Sequence, residues 1–118
     1  MSVQRPKEKI YQVMMDCREV TAGEHRFGDI EYKLGKREIG HVHGNSRVDI
    51  PFPIKIRNEI IEKGEALPHH VLPDSGWVSI YLRNNDDVYK KINLLIRSYE
   101  ITLQQKVKRK QTNHLEKM

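Results

Sequence analysis

The chain has 118 residues, a net charge of +5, 37 % apolar and 31 % charged residues, and one cysteine. That length suits one domain and leaves no room for a second core, and the composition is polar without being that of a disordered chain. No apolar run reaches the roughly 20 residues needed to span a bilayer, the first residues (Met1-Ser2-Val3-Gln4-Arg5-Pro6-Lys7) lead into no apolar stretch that would read as a signal peptide, and the lone Cys17 excludes an internal disulfide. Together these point to a cytoplasmic protein with no membrane partner.

Pro6 to Arg18 reads as a helix. Proline suits its first turn, and Ile10, Val13, Met14 and Cys17 form one apolar stripe. Ile30, Tyr32 and Leu34 alternate with charged residues, the two-residue period of a half-buried strand. Gly35-Lys36 is a tight turn before a second strand, Arg37 to His43, and Gly44-Asn45 joins that strand to a third, Ser46 to Ile50. Glu19 to His25 is a possible fourth member of the meander. Pro51-Phe52-Pro53 ends the run, and a helix follows from Ile54 to Lys63 with Ile56, Ile60 and Ile61 inward and Gly64 as its cap. Leu67 to Gly76 reads as a loop. Trp77 to Leu82 is a strand with Val78, Ile80 and Leu82 on one face and Trp77, Ser79 and Tyr81 on the other. Asn84 or Asn85, with Asp86 and Asp87, caps a last helix whose core face carries Val88, Ile92, Leu95, Ile96, Tyr99 and Leu103, with fraying expected after Lys106.

The order α-β-β-β-(β)-α-β-α, with short turns between consecutive strands, predicts an α+β fold. It is a two-layer sandwich of four to six antiparallel strands with helices on one face. Residues 1–105 form the single domain and 106–118 a basic tail, a frayed helix or disordered. After Leu103, Lys106, Lys108, Arg109, Lys110 and Lys117 against Glu116 carry +4, which leaves only +1 for the rest. The basicity therefore lies in the tail, and the body shows no stripe of the kind that tracks a phosphate backbone.

The chemistry concentrates in two turn-bounded histidine blocks, Gly40-His41-Val42-His43-Gly44 and Pro68-His69-His70-Val71-Leu72-Pro73-Asp74-Ser75-Gly76-Trp77. Histidine is the side chain most readily used for proton transfer or metal binding near neutral pH. His43, His69, His70 and Asp74 are the candidate catalytic residues, and His41, Trp77 and Tyr81 the candidate ligand contacts. The site is expected where the Gly44 end of the hairpin meets the Pro68–Trp77 loop. A two-residue Gly-Asn loop sets His43 opposite Ser46, His41 opposite Val48 and Ile39 opposite Ile50. Both histidines then share the face of the apolar residues, with His41 near the core.

A buried His41 bonded to a backbone carbonyl or carboxylate fits this pattern as well as a ligand does. Two histidines at i and i+2, completed by His69 or His70 and by Asp74, fit a metal ion, while Asp74 equally suits the turn that launches the last strand. The pattern names neither cofactor nor metal. Ser75 lacks a nucleophile elbow, Cys17 lies on a packing stripe, and no phosphate-binding glycine loop is present.

The two histidine blocks, with Asp49-Ile50-Pro51-Phe52-Pro53 and Leu94-Leu95-Ile96-Arg97-Ser98-Tyr99-Glu100, resemble the luciferase-domain family of small bacterial and fungal proteins, over about Phe27 to Glu100. That resemblance implies a compact domain, often standing alone, and carries no catalytic residues with it. The layout, with a strand starting at Trp77 and a last helix bearing Ser98-Tyr99, is also similar to the YjbR-like, or double-wing, proteins, which are associated with DNA binding. The functional expectation is a histidine-lined ligand-binding or enzyme-like site for a small molecule. Its rivals are a nucleic-acid module using the open sheet face and the basic tail, and a protein-interaction module built on Trp77 and Tyr81, in a monomer or homodimer.

Overall fold

A computed structural model describes residues 5–25, 28–83 and 88–116, with side chains to residue 109. The elements run α1 (Pro6–Met15), β1 (Val20–Glu24), β2 (Ile30–Leu34), β3 (Arg37–His43), β4 (Arg47–Pro51), α2 (Ile54–Glu62), β5 (Leu67–Pro68), β6 (Trp77–Tyr81) and α3 (Val88–Glu116). The strands form one antiparallel sheet in the order β1-β2-β3-β4-β6-β5. This is the α+β sandwich that the apolar periodicities imply.

The core row crosses the sheet as Ile30, Val42, Val48 and Ile80, each directly opposite the next. Ile10 and Met14 of α1 and Ile92 and Leu95 of α3 are buried in the same core cluster. Residues opposite one another in an antiparallel pair point to the same side, so this row is the inner face. Helix α3 lies directly on β3, because Gly40 has no side chain to hold it off. A Cβ there would overlap the Leu95 side chain. None of the described helices is long and apolar enough to cross a membrane.

Helix α1 stops at Met15, short of the expected Arg18. The Asp16 and Cys17 amides reach back only three residues, to Val13 and Met14, and Glu19 takes a left-handed φ of 66° that swings the chain into β1. Helix α3 continues to Glu116, through the segment read as a tail. Its Lys, Arg and Gln residues are good helix formers. The expected cap of α3 at Asn84 to Asp87 lies outside the described residues. Strand β5 is the element that periodicity did not show. Only two residues long, it pairs Leu67 with Ser79 and Pro68 with Val78, and so fastens the start of the 69–76 loop to the sheet.

The β3–β4 hairpin corrects the expected register. Ser46 belongs to the turn, not to β4: its amide and its Oγ both donate to the His43 carbonyl, at 3.2 and 3.0 Å. The loop therefore has three residues, and the pairs are His43 with Arg47, Val42 with Val48 and His41 with Asp49. One residue of slip exchanges the two faces. His41 and His43 stand on the outer face with Arg47 and Asp49, not on the core face with Val48 and Ile50.

A bulge adds to this. Tyr32 pairs with Gly40 but Lys33 pairs with Glu38, so Ile39 is the extra residue on β3. Glu38 and His41 are three apart and in a regular strand would face opposite ways. The bulge brings both to the outer face while Ile39 stays buried.

Candidate functional site

The outer face of β3 and β4 and the 69–77 loop border an open cavity of about 400 Å³, lined by Glu38, His41, His43, Arg47, Asp49, His69, His70, Leu72 and Trp77. Four of the six histidines thus converge on one hollow. The rings run in stacked pairs, His41 on His43 at 4.5 Å between centroids and His69 on His70 at 4.6 Å, with the Trp77 ring edge-on to His69 at 6.2 Å.

Asp49 ties the two blocks together. It is buried at the centre of the sheet and accepts a hydrogen bond from Ser79 Oγ at 2.7 Å on Oδ1. Arg47 Nε lies 3.2 Å from Oδ1 and 3.4 Å from Oδ2. Oδ2 also meets His43 Nε2 at 2.9 Å and His69 Nε2 at 3.5 Å. Burial pushes the Asp49 carboxyl up, but the Ser79 hydrogen bond and the Arg47, His43 and His69 nitrogens outweigh it and hold the group below the usual carboxylate range.

The four rings are not equivalent. His69 Nδ1 accepts the amides of both Val71 and Leu72, each at 3.1 Å, which leaves its proton on Nε2, facing Asp49. His43 faces carboxylates with both nitrogens, Nδ1 to Asp29 Oδ2 at 3.1 Å and Nε2 to Asp49. Both contacts are satisfied together only when each nitrogen carries a proton or a cation stands in for one. His41 is bonded on one side only, Nδ1 to Glu38 Oε1 at 3.3 Å, and its Nε2 has no hydrogen-bond partner among the described residues. A carboxylate on Nδ1 selects the tautomer with a lone pair on Nε2. Burial pushes the Glu38 carboxyl up, the neighbouring Glu31 carboxylate adds to that, and the His41 hydrogen bond opposes both. His70 is exposed and has no hydrogen bond among the described residues.

Of the residues singled out in the sequence, His41, His43, His69, His70 and Trp77 line the cavity, and Asp74 and Tyr81 do not. Asp74 is exposed, in a turn closed by the Ser75 amide and Oγ on the Leu72 carbonyl. Tyr81 pairs with Arg47 one row further along the outer face. The residues that residue patterns did not mark are Glu38, Arg47, Asp49 and Asp29. Asp49 carried a usable signal. A carboxylate between Val48 and Ile50, in a strand with apolar neighbours, has low strand preference and needs partners wherever it is buried.

The loop depends on His69 as much as on its own turns. In His69→Ala the Val71 and Leu72 amides lose their acceptor. At about 1 kcal/mol per hydrogen bond, their hydrogen exchange is expected to rise about fivefold while that of β4 is unchanged. Amide exchange followed by NMR checks this, and unaltered protection at both positions would refute it.

A family model described as Luciferase domain matches residues 36–97, just over half of the chain. Comparison with curated proteins and with solved structures found no match. The matched stretch runs from the start of β3 into α3 and contains every residue that lines the cavity. The chain belongs to the Luciferase domain family.

Proposed function

We propose that the histidine cavity is a binding site for a small molecule, and that His41 Nε2 is the ring nitrogen that meets the ligand. The observation that carries this reading is that one buried carboxylate, Asp49, holds His43 and His69 from two separate blocks around one hollow. Polar groups locked in place before a ligand arrives are what a binding or catalytic site needs, and packing alone does not need them. His43 and His69 have both ring nitrogens engaged and act as a rigid wall. His41, oriented by Glu38, keeps a free lone pair suited to accept a proton.

The other walls indicate the class of ligand. The Trp77 ring and Leu72 supply flat apolar surface. Arg47 commits Nε to Asp49, and its outer guanidinium nitrogens have no hydrogen bond among the described residues. A small anion with a planar apolar body fits this combination.

The test is chemical-shift mapping on metal-free protein with benzoate, and with benzamide as its neutral counterpart. Benzoate is expected to perturb the amides of His41, His43, Arg47, His69 and Trp77 and to quench the emission of Trp77, the single tryptophan. Trp77→Leu is expected to weaken binding about tenfold, the loss of one aromatic contact. Shifts concentrated instead in the groove lined by Arg5, Lys7 and Tyr11, or no shift up to about 10 mM, would overturn the reading.

A further inference from the structure

The two hairpin histidines carry carboxylates in an arrangement that proton sharing leaves half explained. His41 has Glu38 on Nδ1 at 3.3 Å, and His43 has Asp49 on Nε2 at 2.9 Å. A histidine bound to a metal through one nitrogen ordinarily donates its other N–H to a carboxylate, which fixes the tautomer and raises the ring's basicity. Both rings already have that partner. The nitrogens left over are His41 Nε2, without a hydrogen bond among the described residues, and His43 Nδ1, which lies 3.1 Å from Asp29 Oδ2. Asp29, His41 and His43 each offer one ligand atom, and these atoms all lie within 4.8 Å of one another.

Four-coordinate bonds of about 2.0–2.1 Å set neighbouring ligand atoms about 3.3 Å apart. The His43–Asp29 separation already matches that edge. The remaining edges, none longer than 4.8 Å, close by rotations of side chains that are only partly buried; the β2–β3 ladder fixes the backbone of His41 and His43, and the Asp29 carbonyl accepts the His25 amide at 2.8 Å. Charge balances as well. A divalent ion on Asp29 keeps one positive charge, and the Glu38 and Asp49 carboxylates flank it through the two rings.

We propose that Asp29, His41 Nε2 and His43 Nδ1 form a site for a divalent transition-metal cation of the zinc class, with Glu38 as a positioning residue. The inference rests on the reading of the cavity as a ligand site through His41 Nε2. Two imidazoles and one carboxylate suit zinc, cobalt or nickel and not magnesium, which prefers oxygen donors. Three protein ligands leave at least one coordination position for water or for a small anion in the cavity.

The test is a Co(II) titration of the full chain, followed by its visible ligand-field bands and by calorimetry. The expected result is one equivalent bound with the bands of a four- or five-coordinate ion, displaced by Zn(II) and not by millimolar Mg(II). His41→Ala and Asp29→Asn are expected to weaken binding at least a hundredfold. Glu38→Gln is expected to weaken it about 10–100-fold with the band positions retained, which a merely structural role would not produce. Asp74→Asn, at an exposed carboxylate that does not line the cavity, is expected to bind as the wild type does.

Far-UV circular dichroism confirms that each variant is folded. Asp29→Asn, which lies outside β2 and β3, decides the matter if a strand variant is not. Absence of the bands, or affinity within threefold of wild type in both His41→Ala and Asp29→Asn, overturns the metal site. Benzoate mapping to the cavity in metal-free protein would then show that the ligand-site reading survives without it, and failure of both would remove the two together.

Discussion

Replacing Asp49 by alanine is expected to cost about 3 kcal/mol of stability at neutral pH and to release the two histidine blocks from one another. Removing one partner of a buried ion pair costs about 3–5 kcal/mol, because the other charge stays behind uncompensated. Here Arg47 and His43 are about a quarter exposed, so water recovers part of the loss and the lower end of that range applies. Asp49→Asn keeps the volume and one acceptor oxygen for Ser79 or His43 but not the charge that faces Arg47. Its expected cost is smaller, about 1–2 kcal/mol. Urea unfolding at pH 7 measures both. An alanine variant within about 0.5 kcal/mol of wild type, the range of ordinary surface changes, would mean that the carboxylate does not clamp the hairpin to the loop.

The same carboxylate gives the stability of the protein an acid limb. Burial raises its pKa, but Ser79, Arg47, His43 and His69 lower it further, and the folded value lies below that of a free aspartate. A carboxyl with a depressed folded pKa stabilises the fold fully above its unfolded value of about 3.9. That contribution is lost as pH falls through the lower, folded value. The wild type is therefore expected to lose the Asp49 contribution only below about pH 4. Asp49→Ala lacks that contribution at every pH, so the gap between the two proteins is expected to be wide at pH 7 and to narrow towards pH 3. A gap constant across that interval would assign the stabilisation to packing and not to charge.

What could be read from the residues, and what could not, divides along a physical line. Residue type and spacing carried the Ile10–Met14 stripe of α1, the Ile30-Tyr32-Leu34 alternation and the core face of α3, because each reflects burial on a fixed period. The two histidine blocks stood out because turn residues bound them.

The features that build the cavity depend instead on a single residue of backbone register. Gly44-Asn45 has the composition of a two-residue loop, yet Ser46 satisfies the His43 carbonyl twice and joins the turn, and that step exchanges the faces of β3. The bulge at Ile39 that brings Glu38 beside His41 stands next to Gly40, but a strand glycine marks a bulge and a close backbone approach alike, and Gly40 also serves the approach of α3. Strand β5 contains a proline and is too short to have a period. Asp49 was the missed opportunity, since a carboxylate set among Val48, Ile50 and the apolar residues of β6 has to find partners. The candidates within reach in sequence were Arg47 and the histidines.

Gly76→Ala is expected to cost about 3 kcal/mol, the upper part of the range for overpacking a close contact. A Cβ at this position would overlap the Phe52 carbonyl oxygen and lie 3.3 Å from its carbonyl carbon. Phe52 cannot withdraw. The Phe52 amide donates to the Gly76 carbonyl at 3.0 Å, Pro51 is paired with Trp77 at the end of β4, and Pro53 precedes the first turn of α2. The entropy gained by replacing a glycine in the unfolded chain, about 0.4–1 kcal/mol, is too small to offset the clash. Relief has to come from the loop, which lies between Gly76 and its anchors at β5 and Arg57, so the Trp77 ring and His69 are expected to shift with it. For a domain near 100 residues the cost corresponds to a fall in melting temperature of more than about 10 °C. Gly23→Ala is the control, because its nearest neighbour, the Glu31 carbonyl, is at an ordinary 3.9 Å. Thermal unfolding with Trp77 emission separates the two variants. If Gly76→Ala melts with Gly23→Ala and its emission is unchanged, the loop does not rest on Phe52, and the 69–77 wall of the cavity is held by its other anchors, β5, Arg57 and Asp49.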